Sequence, residues 1–297
     1  MKIYIYPNIN WPIHDQTEHY KGVVPFSQFH MDLFEHVGPD EADIIYMGQI
    51  GDSHQLDLSK FPYLNKYRDK HWIDIEGDWL NREIPRELDG INLTINGAVR
   101  GIESRFNKIF VRPTFSTFLV SNLNTLWPSH PNYKSIGFQG YPDPFGLRRR
   151  LQSIMSQFPG EYVLTDNWNG PAKIAGSEHK SYQYLMLRNL FHLCPRGCGH
   201  DSVRFFESCL MEHIPIVVGD NILFGELDGL DTSFAFQISQ YQSLQSISEQ
   251  IRKILSIDWN EINFRISQIK DYNNYIRLYF ENPTKYLLWR IYGLPIH

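Results

Sequence analysis

Residues 191–220, FHLCPRGCGHDSVRFFESCLMEHIPIVVGD, constrain the fold more tightly than any other stretch of the chain. The opening apolar run stops at Pro195. The closing run, IPIVV, stops at Gly219 and Asp220. Between them, residues 202–212 carry helical spacing, with Val203, Phe206 and Leu210 on one face. A strand, a helix and a strand in such close succession predict a crossover between parallel strands.

The same alternation extends along the chain. Strands are expected at 2–6, 42–48, 71–77, 91–96 and 108–113, with helical stretches at 27–36 and 116–124. The segment LWPSHPNYK, residues 126–134, has the prolines and polar residues of a linker. After it, strands are expected at 134–140, 161–167, 191–195, 214–220 and 234–239. Helices are expected at 146–158, 177–189, 202–212 and 243–256, and an aromatic-rich helix at 262–291. The expected architecture is α/β: two Rossmann-like domains, residues 1–130 and 131–270, facing a cleft. The final helix, through residues 271–297, is placed to cross back onto the first domain.

Composition narrows the function. A net charge of −5 and a pI of about 6.2 disfavour nucleic acid and anionic membrane as partners. The start, MKIYIYPN, is too short an apolar run for a signal peptide, and no run approaches a membrane span. A soluble, cytoplasmic protein is expected, with Cys194, Cys198 and Cys209 reduced. The sequon at Asn92 then reads as chance. Cys194, Cys198, His192 and His200 match no common zinc spacing, so no metal site is expected. Aromatic residues make up 14% of the chain, which suits either large cores or a carbohydrate cleft.

The turn after 191–195 carries the chemistry. It lies at the carboxyl end of a strand, where open α/β sheets bind ligands. Asp201 or Ser202 is placed to cap the helix that follows, whose free N–H groups suit a phosphate. Gly197 and Gly199 let the backbone approach a ligand, and Arg196 and Arg204 offer charge-assisted bonds to phosphate oxygens. Glu207, one turn further on, suits two ribose hydroxyls. The competing reading is an exposed Arg204–Glu207 pair beside a simple Ser202 cap. Neither a Walker lysine nor a GxGxxG follows the strand.

Pro195, Arg196, Gly197, Ser202, Arg204, Glu207, Ile214, Pro215 and Val217 together resemble the hallmark of the exostosin-like inverting glycosyltransferases, carbohydrate-active family 47. Weaker echoes are KIYIYP, EADIIYMG, FPYLNKYRDKHWIDIEGDW, and SIGFQG followed by Arg148 and Leu151. One departure is Glu212-His213 where many members have Gly-Cys, so the helix ends without its usual glycine. The resemblance implies a short microbial or viral member with a GT-B fold. It implies transfer from a UDP-sugar to a glycan hydroxyl with inversion, without a cofactor or catalytic metal. Similarity to short members favours xylose. Arg148 and Arg204, aided by Ser202 and Arg196, are assigned to the diphosphate, and Glu207 to the ribose.

Inversion by single displacement needs one general base. Asp78 is preferred and Glu76 is second, both in the stretch DIEGDW where the strand at 71–77 ends, with His14 and Asp15 as alternatives. Two other classes compete: a nucleotide-sugar- or glycan-binding protein without turnover, and a GT-B-type sugar epimerase.

Overall fold

The computed structural model describes residues 1–6, 33–50, 56–75, 84–95, 98–111, 113, 133–165, 177–197, 200, 202–226, 229–281, 286, 288, 289 and 293. Two parallel sheets with helices form an α/β architecture. The first sheet contains β1 (Lys2–Ile5), β2 (Glu35–His36), β3 (Ile44–Ile50), β4 (His71–Ile75), β5 (Asn92–Ile95) and, beyond the separate β6 (Ala98–Val99), β7 (Lys108–Val111). Its order is β2-β1-β3-β4-β5-β7, with every pair parallel.

The second sheet contains β8 (Ile136–Gly140), β9 (Gly160–Leu164), β10 (Phe191–Pro195), β11 (Ile214–Val218) and, beyond the separate β12 (Ile222–Leu223), β13 (Phe236–Ile238). Its order is β13-β11-β10-β8-β9, again parallel throughout. Helices α1 (Leu147–Met155), α2 (Ser177–Arg188) and α3 (Val203–Leu210) make its successive crossovers, and α4 (Leu244–Ser256) and α5 (Trp259–Glu281) follow β13. Strand order reverses between β8 and β10. The crossovers that leave these two strands therefore run in opposite directions, the arrangement at which sheets of this kind bind ligands.

Parallel strands covered on both faces read as continuous apolar runs rather than alternating ones. All five residues of β10 and of β11 are buried. The edge strand β9 is covered less.

Among the described residues, two connections join the sheets. Strand β12 pairs antiparallel with β6, matching Ile222 to Val99 and Leu223 to Ala98. Ile222 packs in the core of the second sheet and Leu223 in that of the first. Helix α5 lines the second core with Ile262, Ile266, Ile269, Tyr272 and Ile276. Its Tyr279 then meets Phe110 of β7, with ring centroids 5.7 Å apart. Leu288 joins Ile3, Ile44, Tyr46 and Trp72. The C-terminal helix thus crosses back onto the first sheet.

Sequence patterning misjudged one described segment. The stretch 27–36 was expected to be helical, yet Glu35 and His36 form β2, paired with Lys2 and Ile3. A two-residue strand has no periodicity to detect. Residues 27–32 and 116–124 lie outside the described residues. Asn92 of the sequon is buried in β5 and donates to the carbonyls of Asp69 and His71, so it offers no acceptor amide. No helix among the described residues is long and apolar enough to cross a membrane.

The missing glycine after α3 is resolved locally. Glu212 takes the left-handed conformation itself, at φ 57. Its N–H donates to Cys209 O and that of His213 donates to Ser208 O, the paired bonds of a Schellman ending. A side chain there costs about 1 kcal/mol relative to glycine. Its carboxylate recovers part of that through Lys270, 3.5 Å away. Glu212→Gly is expected to hold or raise the thermal unfolding midpoint. Glu212→Val, β-branched at a positive φ, is expected to lower it by several degrees. A lower midpoint for the glycine variant than for the valine variant would remove this account.

Candidate functional site

Three arginines gather at the carboxyl ends of β8 and β10. Arg148, in the first turn of α1, is 8% exposed. It donates from Nη1 to Tyr141 O at 2.8 Å and from Nη2 to Pro195 O at 3.3 Å, which ties the ends of the two strands together. Arg204, in the first turn of α3, donates from Nε to Gln139 O at 2.8 Å and from Nη2 to the same oxygen. Both guanidiniums stand over the ring of Phe138, at 5.6 and 4.6 Å from its centroid. Tyr162 stacks on that ring at 4.6 Å and donates its hydroxyl to Arg148 O. Arg196 lies 4.4 Å from the centroid of the exposed Phe145 ring.

Two glycines make this gathering possible. A methyl group at residue 140 would collide with Nη2 of Arg204, and one at residue 197 would stand 3.2 Å from Nη2 of Arg148. A larger residue at either position would push the guanidinium out of its carbonyl cradle.

The two helix starts differ. At α1, the Asp143 carboxylate accepts from the N–H groups of Phe145, Leu147 and Arg148, so a protein anion already occupies that end. At α3, Ser202 occupies the N-cap position with an extended backbone, but its side chain makes no capping bond. The expected Ser202 cap is therefore absent. The Ser202 residue is 3% exposed, and its Oγ has no hydrogen-bond partner among the described residues.

Helix α3 is also more deeply enclosed than its wheel predicted. Phe205, Phe206, Glu207, Ser208, Cys209 and Leu210 are all buried. Phe206 is buried against Phe224, and Phe205, off the expected apolar face, packs on Phe224 at 3.7 Å and on Tyr272 of α5. Glu207 was expected to face the cleft, or else to form a surface pair with Arg204. It is 0% exposed, and its carboxylate accepts from the hydroxyl of Tyr182 on α2. Both expectations placed the carboxylate in the open and both are corrected by its burial, because the wheel could not show that α2 and α5 close over this side. Burial, then the adjacent carboxylate, push the Tyr182 hydroxyl well above its ordinary range, so it remains a donor.

Beneath α3, His192 lies between Met186 O, at 3.0 Å, and Ser208 Oγ, at 2.9 Å. The ring of His213, unassigned from the sequence, packs edge-on against it at 5.0 Å. His213 is thus a buried wall of the core. Cys194 and Cys209 are buried free thiols, and burial raises the first to about 12. Among the described residues, no cluster of three or more His, Cys, Asp or Glu side chains could hold a metal.

The structure brings Arg148, Arg196, Ser202, Arg204 and Glu207 into one region. Glu76, Asp78, His14 and Asp15 lie outside the described residues, as do Cys198, Gly199 and Asp201. Sequence reasoning missed Phe138, Tyr182, Asp143 and Tyr162. No family model matches the chain. No curated protein matches it. Among solved structures, the chain is similar to a crystal structure of an alpha1,3-fucosyltransferase. The two are 12% identical at a TM-score of 0.46, over 96% of this chain and 91% of that one.

The buried histidines make stability depend on pH. Burial and then His213 hold His192 well below its ordinary value of 6.5, and burial lowers His71 to about 4. His71 Nδ1 lies 2.6 Å from Tyr67 O, a carbonyl that can only accept. The neutral ring therefore donates there and takes the Tyr6 hydroxyl at Nε2. Below pH 6.5 the unfolded chain binds protons that the folded chain refuses. Stability is full above that pH and falls as pH drops from about 6.5 towards 4. The thermal midpoint is expected to fall by several degrees between pH 7 and 4.5. A midpoint that stays level across this window would contradict the burial of neutral rings.

Proposed function

We propose that the protein is an inverting glycosyltransferase of GT-B design, transferring a sugar from a UDP-sugar to a glycan hydroxyl. In this reading residues 131–270 form the nucleotide-sugar domain and residues 1–130 the acceptor domain. The observation that carries it is the convergence of Arg148 and Arg204 on Phe138, at the point where strand order reverses. Two cations held by main-chain carbonyls, beside a helix start that its own cap residue leaves unbonded, suit a diphosphate.

In the reaction, the acceptor oxygen attacks the anomeric carbon from the face opposite the diphosphate. The new C–O bond forms as the bond to the diphosphate oxygen breaks, and UDP departs with the electron pair. Charge grows on the departing diphosphate, so fixed donors aimed there lower the barrier most. Arg148, Arg204 and the start of α3 take that role, with Arg196 beside them and the Ser202 hydroxyl available to a phosphate oxygen. Glu207, enclosed beneath Tyr182, meets the ribose only if donor binding opens that side of α3. Asp78, with Glu76 second, takes the acceptor proton. Xylose is the first donor sugar to test.

Calorimetry with UDP is the primary experiment. Arg204→Ala and Arg148→Ala are each expected to weaken binding at least ten-fold, roughly the 1.4 kcal/mol or more of a lost charge-assisted bond. Gly140→Ala, whose methyl group would collide with Arg204 and press on the Phe138 ring, is expected to weaken it as well. Unchanged affinity in both arginine variants would move the donor site elsewhere. Asp78→Asn is expected to abolish transfer while UDP affinity holds. Full transfer rates in both Asp78→Asn and Glu76→Gln would place the base at another residue, and UDP binding without turnover on any acceptor would favour a binding protein.

A further inference from the structure

We propose that the exposed ring of Phe145 is the stacking platform for the base of the donor nucleotide. The inference rests on the nucleotide-sugar reading and extends it from the diphosphate to the nucleoside. Phe145 lies in the turn 141–146, between the carboxyl end of β8 and the start of α1. It is 53% exposed, in the same turn as Tyr141 at 39%. A single exposed apolar side chain needs no explanation by itself. Three features set this one apart. The turn is tied to the guanidiniums: Arg148 donates to Tyr141 O, and Arg196 stands over the Phe145 ring at 4.4 Å. The turn is also held in one shape. The Asp143 carboxylate accepts from the N–H of Phe145, the N–H of Gly146 donates to Asp143 O, and Gly146 takes the left-handed conformation at φ 72. Finally, the flank of Arg204 towards α2 is filled, with Tyr182 beside its guanidinium and Glu207 0% exposed. A nucleoside attached to a diphosphate on Arg148 and Arg204 therefore finds exposed protein over the 141–146 turn without any opening of α3.

The chemistry favours a base over a sugar at this ring. A pyranose shows hydroxyls around its rim, and these need donors and acceptors beside the apolar face. The carboxylate of the turn, Asp143, is committed to the N–H groups of Phe145, Leu147 and Arg148. A base needs only a flat partner, and it stacks on an aromatic ring or on a guanidinium plane. Phe145 and Arg196 supply one of each in contact with one another. Stacking reads a face rather than an edge, so the platform strengthens nucleotide binding without selecting uracil.

Calorimetry with UDP and its abasic counterpart, ribose diphosphate, tests the proposal, because the two differ only in the base. Wild type is expected to bind UDP about ten-fold more tightly than ribose diphosphate. Phe145→Ala is expected to remove that advantage, weakening UDP about ten-fold and leaving ribose diphosphate within about two-fold of wild type. Phe145→Trp, which keeps a flat ring, is expected to retain the affinity for UDP. Should Phe145→Ala not fold, Phe145→Leu, which keeps bulk without a flat face, takes its place with the same expectation. Equal weakening of both probes would mean that the ring only steadies Arg196 against the diphosphate, and overturns the proposal. Unchanged UDP affinity with slower transfer would assign the ring to the acceptor, and overturns it too. Wild type that binds UDP and ribose diphosphate alike refutes the platform alone. Wild type that binds neither probe refutes the nucleotide-sugar reading itself.

Discussion

Helix α3 can be enclosed between the sheet and α5 only because its buried polar side chains find partners. Glu207 and Ser208 are both 0% exposed, in a helix whose other inward residues are aromatic, aliphatic or thiol. An ionised carboxylate taken out of water without donors costs several kcal/mol, more than one such helix gains from any single apolar contact. Tyr182 supplies Glu207 with a donor, and His192 and Arg204 O take up Ser208. With these satisfied, Phe205 and Phe206 are free to build the core on both sides of the helix.

The position of α3 then sets the electrostatics of the site. Its first turn carries Arg204 to the end of β8, where Gln139 O accepts from it. The same region receives Arg148 from the start of α1, a helix whose own terminus Asp143 has filled. One helix end is thus occupied by a protein carboxylate, while at the other the hydroxyl of the cap residue has no hydrogen-bond partner among the described residues. In the proposed reading, this asymmetry makes the start of α3 and the two guanidiniums the place for the donor's diphosphate.

Much of this was legible in residue order. The run IPIVV announces a strand covered on both faces, because only a parallel sheet between helices buries every side chain. Arg196, Ser202, Arg204 and Glu207 were named as candidates because they lie around a strand end and the helix after it, and Arg148 through the family resemblance; the structure brings all five into one region. The contacts that hold them were not legible. Tyr182 meets Glu207 across 25 residues and Arg204 meets Gln139 across 65, and nothing in local spacing encodes either meeting. The two-residue strands β2, β6 and β12 escaped because a pair of residues has no period.

The sequence alone determined the alternation of strand and helix, and with it the two parallel sheets. Local apolar spacing and turn residues decide these, and both are written in neighbouring positions. Tertiary structure decided which side of α3 is open, that Ser202 does not cap it, and that Glu207 lies beneath Tyr182 rather than on the surface. It also decided that Glu212 serves where a glycine would be expected, since that depends on the turn the chain must make to enter β11. Exposure and partnership are properties of packed elements, and a helical wheel contains only one of the elements that pack.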